Sequence, residues 1–369
     1  MENISVIGIG KLGICFALGL EEVGYNVLGI DIDKERIKLL NKKKLVQSEP
    51  GFSDLLKNSK NFKASDSIRN AVEHSDLIFI LVATPSLDSG RYDHKYIDTV
   101  VKDLMKLGKQ STTKYLVISS TVMPGYTNGI QKKLSDYNFI VSYNPEFIAQ
   151  GSVINDQKNP DIILIGEGSK NAGKLIQKCH EKLAINKPII HKMSSLEAEI
   201  TKISLNCFLT TKIAYANMIG DIALKSNADP NKILNAVGSD SRIGNKYLKY
   251  GFGYGGPCFP RDNRAIAIYA KDIGIDAKIS IASDASNNSH LDFQVQEYEK
   301  KHRYDKNTQI VFNTVTYKPN TTIIEESQQL LIPVHLAKKG YNVKIIEAKE
   351  VLDKVETEYP GLFELEIKS

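Results

Sequence analysis

A short apolar run, Asn3 to Ile7, leads directly into GIGKLG, with Gly8, Gly10 and Gly13 in GxGxxG spacing ahead of a helical stretch that ends near Val23. Strand, glycine turn and helix in this order predict the opening unit of a doubly wound α/β sheet. Gly8 allows the tight turn, Gly10 lets a pyrophosphate approach the backbone, and Gly13 lets the helix pack on the strand. The helix N-terminus then supplies donors and positive potential. A second apolar strand over 26–30 ends at Asp31, about 20 residues beyond the glycines, where a carboxylate accepts from ribose hydroxyls and repels the 2′-phosphate of NADP. NAD is therefore the expected cofactor. Asp33 is an alternative acceptor, and Arg36 lies close enough to cover the adenine or to soften the preference for NAD.

Further strands are expected at 77–82, 116–119, 139–142 and 161–165, separated by helical or turn-rich segments. The loops at their C-terminal ends should line the ligand crevice: ATPS (83–86), SSTVMPG (119–125) and YNPEFIAQG (143–151). Ordinary turn chemistry accounts for any one of them, whereas their joint placement at strand ends points to function. Ser194 and Glu197 then form a capping box for a long helix running to about Lys225, with apolar positions at Ile200, Ile203, Phe208, Ile213 and Met218. Lys202 and Asn206 are four apart and share a face. On a largely buried helix they either snorkel and hydrogen-bond or, aimed at a reacting carbonyl, stabilise its charge.

FGYGGPCFPRD, residues 252–262, places Cys258 in a glycine-rich turn, with Gly253, Gly255 and Gly256 permitting positive φ and close approach of another molecule. Arg261 follows three residues on, and a nearby cation favours a thiolate nucleophile. Arg242, Lys246, Lys249 and Arg261 bracket the thiol, as a solvated basic surface or as a rim suited to phosphates.

Composition narrows the class. With 48 basic and 43 acidic residues among 369, the net charge is only +5 and the lysines are scattered, so nucleic acid is poorly supported as a partner. Cys15, Cys179, Cys207 and Cys258 show neither CxxC nor zinc-finger spacing, which argues against a metal site and a disulfide framework and for a reducing compartment. No apolar run approaches the roughly 18 residues that cross a bilayer, and no charged-then-apolar leader precedes the first strand. A cytoplasmic location is expected, with no membrane partner.

In order, GIGKLG, Asp31, the turn with Thr84, the STV of Ser120 to Val122, NPEF, the AEITK helix, the cysteine loop and YKPNTT resemble the UDP-glucose/GDP-mannose dehydrogenase family over nearly the whole chain. RIGNKYLK (242–249) and GYGGPCFPRD look most like its UDP-glucose branch. The resemblance implies a four-electron oxidation of UDP-glucose to UDP-glucuronate by two NAD in succession, through a thiohemiacetal and a thioester on Cys258. It implies that Lys202 and Asn206 stabilise the oxyanion, and that Asp262, Thr121 and Glu146 position water and move protons. The cofactor would meet Gly8, Gly10, Gly13, Asp31, Arg36, Thr84, Thr121 and Arg261. The nucleotide sugar would meet Phe147, Ile148, Gln150, Lys202, Asn206, Tyr247, Lys249, Gly255 and Lys318, and Arg242 would reach the sugar of a partner in a homodimer.

The implied architecture is an NAD domain over 1–190, a central helical dimerisation and catalytic domain with the long helix over 191–288, and a shortened Rossmann-like nucleotide-sugar domain over 289–369. Ala149 and Gln150 stand where an arginine and a glutamate are usual, Ser119 where a lysine often precedes STV, and Glu325 where an arginine is usual. Alternatives are a GDP-mannose or UDP-N-acetylhexosamine 6-dehydrogenase, or a non-catalytic NAD-binding member.

Overall fold

The computed structural model describes residues 1–148, 151–319 and 321–368. The chain divides into two compact units, Met1–Lys202 and Ile203–Ser369.

The first unit is built on β1 (Asn3–Ile7), β2 (Asn26–Ile30), β3 (Phe62–Ser65), β4 (Leu77–Ile80), β5 (Lys114–Ile118), β6 (Phe139–Tyr143), β7 (Ile162–Gly166) and β8 (Ile189–Met193). They form one sheet in the order β3-β2-β1-β4-β5-β6-β7-β8, parallel throughout except between β6 and β7. The order reverses between β1 and β4, the place where a doubly wound sheet binds its ligand.

Both faces of this sheet are covered. In β4, Leu77 and Phe79 join one apolar core while Ile78 and Ile80 join the other; in β5, Val117 opposes Leu116 and Ile118 in the same way. Strands buried on both sides read as continuous apolar runs, which is why β4 to β7 were legible within a few residues. β3 and β8 were not anticipated. Both lie at sheet edges, where one face stays wet, and β8 carries an exposed Ile189.

In the second unit, helices Pro230–Gly238, Phe259–Asp272 and Lys278–Lys301 precede a small parallel sheet of β9 (Ile310–Phe312), β10 (Val343–Glu347) and β11 (Glu364–Ile367), ordered β11-β10-β9. Helices Gln328–Lys338 and Lys349–Glu358 connect the strands, and Leu291, Val295, Ile310, Phe312, Ile332, Ile345 and Val355 form a core of their own. The observed class is therefore mixed α/β: a Rossmann-type sheet, a helical middle and a small C-terminal sheet.

The long helix runs Ser195–Lys225, 31 residues. Its capping box is formed: the Glu197 N–H donates to Ser194 Oγ at 3.3 Å and the Ser194 N–H to Glu197 Oε2 at 2.8 Å. One expectation is corrected here. Ile203 is buried, but Phe208, Tyr215, Met218 and Ile222 are exposed, so this helix carries an apolar face in solvent. Apolar spacing identifies a helix without saying what covers each stripe. Among the described residues, no helix is long and apolar enough to cross a membrane.

Candidate active site

Backbone sterics shape the nucleotide end of the first unit. Gly8 sits at φ +91°, and a Cβ there would lie 2.6 Å from the Leu81 carbonyl oxygen; a Cβ on Gly13 would lie 2.0 Å from the Gly8 carbonyl oxygen. Gly10 instead faces open space and stands at the N-cap of helix Lys11–Glu22, where no side chain caps the first-turn N–H groups. A side chain at position 10 would fill open space at that helix start. The Gly8 N–H donates to the Ile30 carbonyl at 2.7 Å, which pins the turn to the end of β2 beside Asp31. Asp33 is committed to capping helix Lys34–Asn41, accepting from the Glu35 and Arg36 N–H groups at 3.0 Å each. Asp31 Oδ1 accepts from the Asp33 N–H at 3.1 Å.

The loops after β4 and β5 are tied together, since Thr84 Oγ1 donates to the Thr121 carbonyl at 2.8 Å and Ser120 Oγ to the Val82 carbonyl at 2.6 Å. Two residues that sequence reasoning missed brace this edge. His94 Nε2 accepts from the Met123 N–H at 3.2 Å while burial holds the imidazole down at about 4, hence neutral. Glu199 is fully buried and accepts from the Gly125 and Thr127 N–H groups at 2.5 and 2.8 Å. It stands inside the quoted AEITK, yet its partners lie over 70 positions away, so no local spacing marks it.

After β6, Lys202 is 7% exposed; its Nζ donates to the Glu146 carbonyl at 2.6 Å and lies 4.3 Å from the Phe147 ring centroid. Burial pushes the Glu146 carboxyl up to about 7, with Lys202 opposing the shift. Its Oε1 is buried without a hydrogen-bond partner. Ile148 packs against the core of the first unit. Gln150 and Ala149 lie outside the described residues.

In the second unit Cys258 is exposed and occupies the N-cap of helix Phe259–Asp272. One turn on, Asp262 is buried and its Oδ2 accepts from Asn206 Nδ2 at 2.7 Å. Arg261 Nε lies 3.7 Å from Asp262 Oδ1. The thiol loop is fastened from three sides. Asn287 accepts from the Tyr254 N–H at 2.9 Å and donates to the Tyr254 carbonyl at 3.0 Å, Gln328 Oε1 accepts from the Gly253 N–H at 3.1 Å, and the Glu325 carbonyl accepts from the Gly256 N–H at 2.9 Å. Beneath it the Tyr254 hydroxyl donates to Asp284, and Asn263 Nδ2 donates to both at 3.0 Å.

These contacts correct the reading of the loop glycines. A Cβ on Gly255 would lie 2.1 Å from the Glu326 carbonyl oxygen, on Gly253 2.2 Å from Gln328 Oε1, and on Gly256 2.5 Å from the Tyr317 ring. The close approach they permit is that of the chain's own 317–328 segment. Arg242 is likewise engaged within its own turn, donating from Nε and Nη2 to Asp240 at 3.0 and 2.7 Å. Tyr247, at φ +62°, and Lys249 are exposed, and Lys318 Nζ lies 5.7 Å from the Tyr317 ring centroid. Glu325 is exposed, while its neighbour Glu326 accepts from Arg264 at 2.5 and 3.1 Å, so this acidic pair meets a cation of the thiol helix.

A doubly wound sheet with this glycine turn and an acid at the end of β2 defines an NAD-binding oxidoreductase, and the open Gly10 and uncapped helix start fit that cofactor. The chain belongs to the UDP-glucose/GDP-mannose dehydrogenase family: the NAD binding domain of that family matches residues 2–184 and its central domain residues 196–289. It is 32% identical over 353 residues to UDP-glucose 6-dehydrogenase TuaD of Bacillus subtilis, covering 93% of this chain and 75% of that protein. It is 29% identical over 361 residues to GDP-mannose 6-dehydrogenase of Pseudomonas syringae, covering 94% and 81%. A UDP-glucose dehydrogenase from the hyperthermophilic archaeon Pyrobaculum islandicum superposes with a TM-score of 0.90 at 28% identity, covering 99% of this chain and 86% of that one. The chain is thus a member of a family of NAD-dependent nucleotide-sugar dehydrogenases.

Proposed function

We propose that this protein oxidises the primary alcohol of UDP-glucose to the carboxylate of UDP-glucuronate, with Cys258 as the nucleophile. The supporting observation is an exposed Cys258 at a helix start whose next turn carries buried Asp262, hydrogen-bonded to Asn206 of the long helix. The positive end of that helix favours negative charge on sulfur.

Bound NAD supplies a hydride acceptor for each two-electron step. In the first step the alcohol loses a hydride and its hydroxyl proton, and Glu146 is the group that takes the proton. Cys258 sulfur then adds to the aldehyde carbon, and Lys202 and Asn206 offset the charge on its oxygen. That oxygen takes up a proton to give a thiohemiacetal, and loss of a second hydride to the cofactor and of the hydroxyl proton to solvent leaves a thioester. Water held by Thr121 and Asp262 adds to it, the C–S bond breaks, and the thiol and carboxylate are released.

Gly8, Gly10, Gly13, Asp31, Arg36, Thr84, Thr121 and Arg261 are assigned to the cofactor, and Asp31 rather than Asp33 to the ribose because Asp33 caps a helix. Phe147, Ile148, Tyr247, Lys249 and Lys318 are assigned to the nucleotide sugar. The exposed apolar face of Phe208, Tyr215, Met218 and Ile222 supports a homodimer, in which Arg242 serves the partner's site. The division at 190 and 288 into cofactor, dimerisation and nucleotide-sugar domains belongs to the same reading. Four free cysteines support a reducing compartment such as the cytoplasm.

NADH counted per UDP-glucose consumed tests the proposal. Two NADH with a uronic acid product support it; no NADH with any nucleotide sugar, despite NAD binding, supports a non-catalytic member instead. The likeness to a GDP-mannose 6-dehydrogenase over 94% of the chain favours GDP-mannose as the second reading. Faster turnover of GDP-mannose than of UDP-glucose would establish it.

A further inference from the structure

A cavity of about 20 Å³ adjoins the loop after β6, with Asn144, Glu146, Asp156, Gln157 and His180 as its polar lining. Two of these residues carry a buried polar atom without a hydrogen-bond partner in the protein: Glu146 Oε1, an acceptor when ionised, and Gln157 Nε2, a donor. Gln157 is 5% exposed. The remaining polar groups are engaged. His180 Nε2 meets Asn144 Oδ1 at 2.7 Å, Asn144 Nδ2 donates to the Leu164 carbonyl at 2.9 Å, and Ser152 Oγ donates to Asp156 Oδ2 at 2.8 Å. Burial holds His180 down at about 4, so it is a neutral neighbour. A cavity holds a water when it offers roughly 10–15 Å³ and polar partners, and this one offers both.

We propose that the cavity binds a water that accepts a hydrogen bond from Gln157 Nε2 and donates one to Glu146 Oε1, which makes Gln157 a positioning residue for that carboxylate. The inference rests on the reading of Glu146 as the proton-moving group. A donor aimed at Oε1 favours the anion over the acid and so sets the pH at which Glu146 accepts a proton. The titratable groups around it are Lys202 from the long helix, Asp156 from helix Val153–Lys158 and His180 from helix Lys170–Leu183. With His180 neutral, Lys202 and the water held by Gln157 are the two influences that favour the carboxylate.

Gln157→Met retains the side-chain volume and removes the donor. Infrared difference spectra of the whole protein against Glu146→Gln isolate the carboxylic C=O stretch of Glu146 without any substrate. In Gln157→Met the midpoint of that signal is expected to rise by about one pH unit. An unmoved midpoint overturns the proposal whether or not the enzyme oxidises a sugar, which separates its failure from that of the proposed function. A crystal structure of the natural chain is the second measurement, independent of how the variant folds. Ordered water within about 3.2 Å of both Glu146 Oε1 and Gln157 Nε2 supports the assignment. A dry cavity, or a side chain turned in to join the two atoms, overturns it.

Discussion

Exposure separates Cys258 from the other cysteines at the scale of single residues. Cys15, Cys179 and Cys207 are buried, and burial pushes each thiol up to about 12, so they stay neutral and unreactive near neutral pH. Brief alkylation should therefore modify Cys258 first, and Cys258→Ser should abolish uronic acid formation while NAD binding persists; undiminished acid formation by that variant would rule out the covalent role. Glu146 offers a pH test. Its carboxyl is raised from 4.5 to about 7, so as a base it is lost to protonation below about 7, where turnover should fall by roughly tenfold per pH unit. Stability carries the opposite sign. The folded state binds the extra proton between 4.5 and about 7, so stability falls as pH rises through that window, and the full cost of the buried anion is present above it. Glu146→Gln, which never ionises, should raise the melting temperature at pH 8 and not at pH 4. Calorimetry at both pH values checks this, and an equal gain at both would speak against a buried charge.

At the scale of elements, the thiol loop is held by hydrogen bonds and by steric contact with the 317–328 segment. Gly255→Ala would set a Cβ 2.1 Å from the Glu326 carbonyl oxygen, a contact that the fixed backbone on both sides relieves only by loosening the loop. The expected loss is about 1–3 kcal/mol in denaturant unfolding. Gly251→Ala is the control, because nothing lies within 4 Å of its added carbon; equal losses in the two variants would show that the clamp is not the cause. The loop itself was legible because a cysteine among glycines, followed by Pro260 and Arg261, is a local pattern. Its fastening was not. Asn287, Gln328 and Glu325 lie between 33 and 75 positions from the atoms they hold, and the nearest sequence signal, turn-forming glycines, suggested an outside ligand instead. β3 and β8 escaped notice for a related reason: an edge strand needs no continuous apolar run.

On the scale of the whole molecule, the exposed apolar face of the long helix is the feature most in need of a partner. Phe208, Tyr215 and Ile222 recur every seven residues, with Met218 between them, as on a helix that packs against another. Sedimentation of the natural chain should show a dimer and Phe208→Glu should shift it toward monomer; a natural chain monomeric at all concentrations would remove the dimer and the cross-subunit role of Arg242 together. Sequence alone determined the doubly wound opening, the carboxylate at the end of β2, the glycine-rich turn that carries Cys258 and the capped start of the long helix, because each rests on neighbours within a turn or on spacing that backbone geometry enforces. Tertiary structure alone decided that Asn206 meets Asp262, that Glu199 holds the STV loop, that Glu146 keeps its proton to near neutral pH, and that the loop glycines are filled by the chain itself. Those properties come from desolvation and from hydrogen bonds between distant segments, which leave no periodicity in the sequence to read.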